Sequence, residues 1–163
     1  MFRFASSCLL RTTPRRYVEL SALMLVLAPV CAHKDSGNAC NFPSWRSRGW
    51  CRMELAAAFL SRNDVRIVVS CGPMHQPHFA YILDVLRAPV GLGDFTCCAL
   101  SHAIDGKPMP CDKDKVYMLT QTILESRTSY LMRAGMPWEG RYLVCWRRQF
   151  LRGMPAIDDL PNL

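Results

Sequence analysis

The sequence lacks any apolar run long enough to cross a bilayer: the longest, Leu20 to Val30, has eleven residues, against the roughly 20 a spanning helix needs. No stable membrane span is therefore expected. It also lacks a glycine-rich phosphate loop, a Ser-His-Asp arrangement and a metalloprotease helix, which removes the common nucleotide-loop, hydrolase and zincin readings. No internal repeat or low-complexity tract occurs, so a solenoid or a biased tail is excluded. The nine cysteines do not fall into regular pairs, and spacing gives no support to a small disulfide scaffold. Several sit in apolar runs such as Phe95 to Leu100. They read as reduced, buried small hydrophobes in a cytoplasmic compartment.

Acid is absent from the first sixteen residues, where Arg3, Arg11, Arg15 and Arg16 carry four of the seven net positive charges. The remainder holds sixteen basic and thirteen acidic residues, a net +3, too mild to suggest a specific nucleic-acid partner. With 163 residues, half of them apolar, the chain has material for one real core. Residues 1–16 read as a basic extension or targeting segment, 17–153 as a single α/β domain, and 154–163 as a tail. Mitochondrial or plastid import, or secretion with cleavage near Val30-Cys31-Ala32, competes with a reading in which Tyr17, Val18, Leu20 and the Leu23 to Leu27 run form a buried central strand covered on both faces.

The clearest helical signal runs from Trp50 to Leu60, with Cys51, Leu55, Ala58 and Phe59 as its apolar stripe and Gly49 as the break before it. Val65 to Ser70 is predicted as a strand, which makes strand, helix, strand a parallel unit. A loop carrying His75 and His78 follows, and then a short helix over Phe79 to Leu86. The Asp105-Gly106 pair predicts a hairpin inside a small excursion from Phe95 to Met109. A long helix runs from Asp112 or Asp114 to about Arg133, with Val116, Leu119, Ile123, Leu124 and Leu131 as its stripe and Gly135 as its cap. Pro137 opens a last helix over about Glu139 to Leu151. The fold class is thus α/β: a small, partly parallel sheet with flanking helices and a helical C-terminal third.

Two groupings invite a metal reading, and neither is adopted. Cys71, His75 and His78 lack a fourth ligand at a recognisable spacing. Cys97, Cys98, His102 and Cys111 include adjacent cysteines, which point to opposite faces of a strand and cannot easily share an ion. No metal and no cofactor is expected.

The candidate site is the motif helix. Glu54 lies one turn after Trp50, and Arg46, Arg48 and Arg52 cluster at the helix start. Arg141, Arg148 and Arg152 form a second basic series on the last helix, a solvated face or a partner-binding stripe. Ser47-Arg48-Gly49-Trp50-Cys51-Arg52-Met53-Glu54-Leu55 resembles the Ser-x-Trp-Cys-x-x-Glu-Leu signature of TIR domains, a flavodoxin-like signalling fold, over about residues 17–72. The resemblance implies that Glu54 matches the glutamate with which some members cleave NAD, and that Trp50 and Cys51 match packing residues. The chain also resembles proteins of dinoflagellate algae in which Arg-Gly-Trp-Cys-Arg-x-Glu recurs, a likeness that implies no activity. The expected function is a non-catalytic interaction or signalling module with a protein partner or self-association, binding through Arg48, Trp50, Arg52, Arg141, Arg148 and Arg152. The alternatives are a TIR-like NAD glycohydrolase using Glu54, with NAD as substrate only, and a secreted or organelle protein with disulfides.

Overall fold

The computed structural model describes residues 20–154; the proposed basic extension, with Tyr17 and Val18, and nearly all of the tail lie outside them. A three-stranded sheet is built from β1 (Leu23–Leu27), β4 (Arg66–Ser70) and β5 (His78–Phe79) in the order β1-β4-β5. β1 and β4 run parallel, with Leu25 opposite Val68, and β5 returns antiparallel, with Phe79 opposite Val68. The sheet is therefore mixed and small, as an α/β reading requires. Two hairpins stand apart from it: β2 (Cys31–Ala32) with β3 (Ala39–Cys40), and β6 (Ala103–Ile104) with β7 (Lys107–Pro108).

The β1-to-β4 connection contains two helices where the sequence suggests one. Asn41 caps α1 (Phe42–Ser47): its side chain accepts from the Ser44 amide at 2.9 Å, and the Ser44 hydroxyl accepts from the Asn41 amide at 2.9 Å. This reciprocal box satisfies two otherwise unpaired donors. The chain then bends at Arg48 into α2 (Gly49–Phe59). Gly49 is not a break before this helix but its first residue, buried beneath the ring of Phe95. A Cβ at position 49 would collide with that ring.

α2 is the pivot of the core. Cys51, Met53, Leu55, Ala56, Ala57 and Ala58 are all buried, because the helix touches β4 and also the long helix α5 (Asp112–Arg133). Phe59, expected in the stripe, is instead exposed. The short helix α3 (Ile82–Leu86) and a 3-10 turn at Val90–Leu92 fill the space between α2 and the C-terminal helices, and α4 (Thr96–Ala99) lies beside the start of α5, where the Asp112 amide donates to Cys97 Sγ. α5 starts at Asp112 and ends in a Schellman arrangement: Gly135 takes φ +76°, and the Met136 amide reaches the Leu131 carbonyl at 3.0 Å. Pro137 then opens α6 (Pro137–Phe150), which packs back on α5. The core face of α5 is Val116, Thr120, Leu124 and Leu131, with Leu119 and Ile123 only half-buried. Thr120 fits because its hydroxyl donates to the Val116 carbonyl at 2.8 Å.

β1 departs most from expectation. It is not a central strand covered on both faces but an edge of its sheet, with Val26 turned inward at 2 % exposure and Leu23, Leu25 and Leu27 at 53, 54 and 66 %. Among the described residues, helices cover one side of the sheet only. Phe79, across from Val68, continues the bare side at 49 % exposure.

Candidate functional site

The motif segment divides its charged residues between two helices, Arg46 on α1 and Arg52 and Glu54 on α2, and sends the two arginines to different neighbours. Arg46 leaves for α3, donating to Asp84 Oδ1 at 3.0 Å with its guanidinium over the Phe42 ring. Arg52 turns back on the main chain, donating from Nε to the Arg46 carbonyl at 2.8 Å and from Nη1 to the Pro89 carbonyl at 3.0 Å. Burial lowers its pKa, Asp94 raises it and Arg46 lowers it further. The indole Nε1 of Trp50 donates to Asp112 Oδ2 at 3.3 Å. Trp50 and Arg52 are thus internal ties between α2, α5 and the 89–94 segment.

Glu54 is left on the outer face of α2, and among the described residues no hydrogen bond or ion pair holds it. Partial burial pushes its carboxyl above the usual range, against the opposing pull of Arg48. The neighbouring Cys51 thiol is raised by burial and then by Glu54, with Arg48 again acting the other way. Arg48 is exposed, while its backbone bridges to Asp94. On the last helix, Arg141 lies over the exposed Trp138 ring at 5.4 Å, and Arg148 is exposed. Arg152 is exposed as well, in the turn after α6 rather than on it.

The cysteines divide differently from expectation. Cys51 and Cys97 are buried, but Cys31 and Cys145 are exposed and the other four described are half-buried, all as free thiols. Cys97 and Cys98 lie in a helix, not a strand, so the alternation that would separate them does not apply. Cys97 Sγ is 4.0 Å from Cys98 Sγ, which is 3.8 Å from Cys111 Sγ. With His102 they form the one group among the described residues in which at least three His, Cys, Asp or Glu ligand atoms converge, all within 4.8 Å of one another. Burial, then contact with the Cys111 and Cys97 sulfurs, pushes the Cys98 thiol up to about 11.

Compared with protein-family models, curated proteins and solved structures, the chain matches none.

The backbone shows how the cysteine group is assembled. Asp105 and Gly106, at φ +49° and +74°, reverse the chain, and the Met109 amide reaches the His102 carbonyl at 2.8 Å. Cys111 is thereby returned to the end of α4. The signal was present in sequence as Cys-Cys-x3-His-x8-Cys around an Asp-Gly turn. Cys71, His75 and His78 do not converge in this way; His78 instead packs edge-on against Phe42.

Proposed function

We propose that this chain is a non-catalytic α/β interaction module whose bare sheet face receives a second copy. The observation that carries this reading is the row of Leu23, Leu25 and Leu27, continued across β4 to Phe79, each about half or more exposed. Contiguous apolar surface of this kind marks association sites. Covering the exposed part of each of these four side chains is worth about 1 kcal/mol, or about 8 kcal/mol for the two faces of a symmetric pair. Association costs of about 4 kcal/mol or more come off that sum, leaving a weak, concentration-dependent dimer. Free thiols suit a reducing, cytoplasmic compartment, in which a signalling role would operate.

The second reading, a TIR-like NAD glycohydrolase, is favoured by one observation: Glu54 has no hydrogen-bond or ion-pair partner among the described residues, and burial raises its pKa. Against it, cleavage of a glycosidic bond needs the ribose held beside the carboxylate by neighbouring groups. Arg46, Trp50 and Arg52 are already bonded elsewhere. Sedimentation across a concentration series separates the two. The proposal expects reversible dimerisation that Leu25→Asp abolishes at unchanged melting temperature, and no nicotinamide release from NAD. A strictly monomeric wild type removes the sheet-face reading, and Glu54-dependent nicotinamide release removes the non-catalytic one.

A further inference from the structure

We infer that Cys97, Cys98, His102 and Cys111 form a closed structural site for one Zn2+ ion. A tetrahedral zinc with Zn–S bonds of about 2.3 Å has sulfur–sulfur edges of about 3.8 Å. The Cys98–Cys111 and Cys97–Cys98 separations of 3.8 and 4.0 Å are already at that edge. All four ligand atoms, the exposed His102 nitrogen included, lie within 4.8 Å of one another, so side-chain adjustments of about 1 Å complete the tetrahedron.

The surroundings are those of a thiolate site. The Asp112 amide donates to Cys97 Sγ at 3.3 Å, the kind of outer hydrogen bond that holds a ligand sulfur as the anion. Cys111 is the N-cap of α5, a 22-residue helix that has no side-chain cap. Its sulfur sits where the helix macrodipole favours negative charge. Ser101 and His102 both hold positive φ, +51° and +56°, an unfavourable backbone for residues other than glycine. That conformation is what presents the imidazole to the sulfurs.

Three thiolates and one imidazole are a soft, four-coordinate donor set, which selects zinc over magnesium or calcium. All four positions come from the chain, so no open position remains for substrate and the role is structural. On binding, each thiol gives its proton to solvent and its sulfur keeps the electron pair for the metal. Nothing is oxidised or reduced, and up to three protons are released. The ion would fasten α4, the β6–β7 hairpin and the start of α5 together, independently of what the sheet face binds.

Cobalt titration of the fully reduced, full-length chain tests this. The expected result is one equivalent of Co2+ bound with intense tetrahedral d–d absorption and thiolate-to-metal charge transfer, displaced by one equivalent of Zn2+. Cys98→Ser and Cys111→Ser lose the absorption, while Cys71→Ser and Cys145→Ser keep it. Should the serine variants unfold, His102→Cys still decides the matter, because a four-sulfur site keeps the colour and moves the d–d bands to lower energy. A weak octahedral spectrum in the wild type overturns the site. So does colour that survives in both serine variants, or bands that His102→Cys leaves unmoved.

Discussion

Gly49→Ala places an alanine in the first turn of α2, where intrinsic propensity favours it over glycine by about 1 kcal/mol. The packing argues the other way. An added Cβ would run into the Phe95 ring, and Phe95 is only 4 % exposed, held in the core. Nor can the helix start retreat, because the Gly49 amide donates to the Asp94 carbonyl at 2.9 Å, and a Cβ on Gly93 would come within 2.5 Å of Gly49 Cα. Overpacking of a filled core costs about 1–3 kcal/mol, occasionally more; with both backbones fixed, the upper end applies. The net expectation is a loss of about 2 kcal/mol, or about 4–8 °C in melting temperature for a domain of this size. Urea unfolding of a double-mutant cycle with Phe95→Ala checks the cause. Phe95→Ala alone costs about 3–5 kcal/mol, and adding Gly49→Ala to it costs nothing further, since the ring that obstructs the methyl is gone. A Gly49→Ala variant as stable as wild type, or strict additivity of the two changes, would refute the reasoning.

Glu54→Gln should raise the melting temperature at pH 7 and leave it unchanged below pH 4. The fold raises this carboxyl above its ordinary 4.5, so its protonated form is the favoured one and wild-type stability falls as pH rises through the raised value; the effect is small because the side chain reaches solvent. Asp84→Ala removes both the Arg46 ion pair and the bond from the Tyr81 amide at 2.9 Å, and a loss of about 1–2 kcal/mol by chemical denaturation is expected. Cys31 and Cys40 are directly opposed across the β2–β3 ladder, a separation that suits a disulfide. Mild oxidant should link them first, as peptide mapping would show, whereas the chain as isolated, denatured with chelator and without reductant, should yield nine reactive thiols; fewer would favour a secreted or organelle protein with disulfides.

Periodicity and punctuation carried the C-terminal half. Asp112, Gly135 and Pro137 mark helix ends in the sequence as they do in space, because caps and breakers act within one turn of chain. β4 was legible for a similar reason, as a short β-branched run between polar turns. β1 was not, since a short apolar run looks the same whether one face or both are covered; only the placement of α2 decides that the Leu23 side stays bare. The destinations of Arg46 and Arg52 were equally hidden. Their partners, Asp84 and the Pro89 carbonyl, lie more than thirty residues away, and charge clustering along the chain says nothing about such distant acceptors. The mutual placement of Cys97 and Cys98 was hidden for a local reason: strand periodicity does not apply to a stretch that is helical.

Besides pairing with Lys115, Asp112 joins two more distant neighbours: its amide faces the Cys97 sulfur, and its carboxylate faces the indole of Trp50. Any event that alters those sulfurs, whether alkylation or ligation, will therefore be felt one residue later by an aromatic ring on another helix. Tryptophan emission becomes a built-in optical gauge of the thiol state. Trp50→Phe should silence that gauge while the chemistry at the sulfurs goes on unseen.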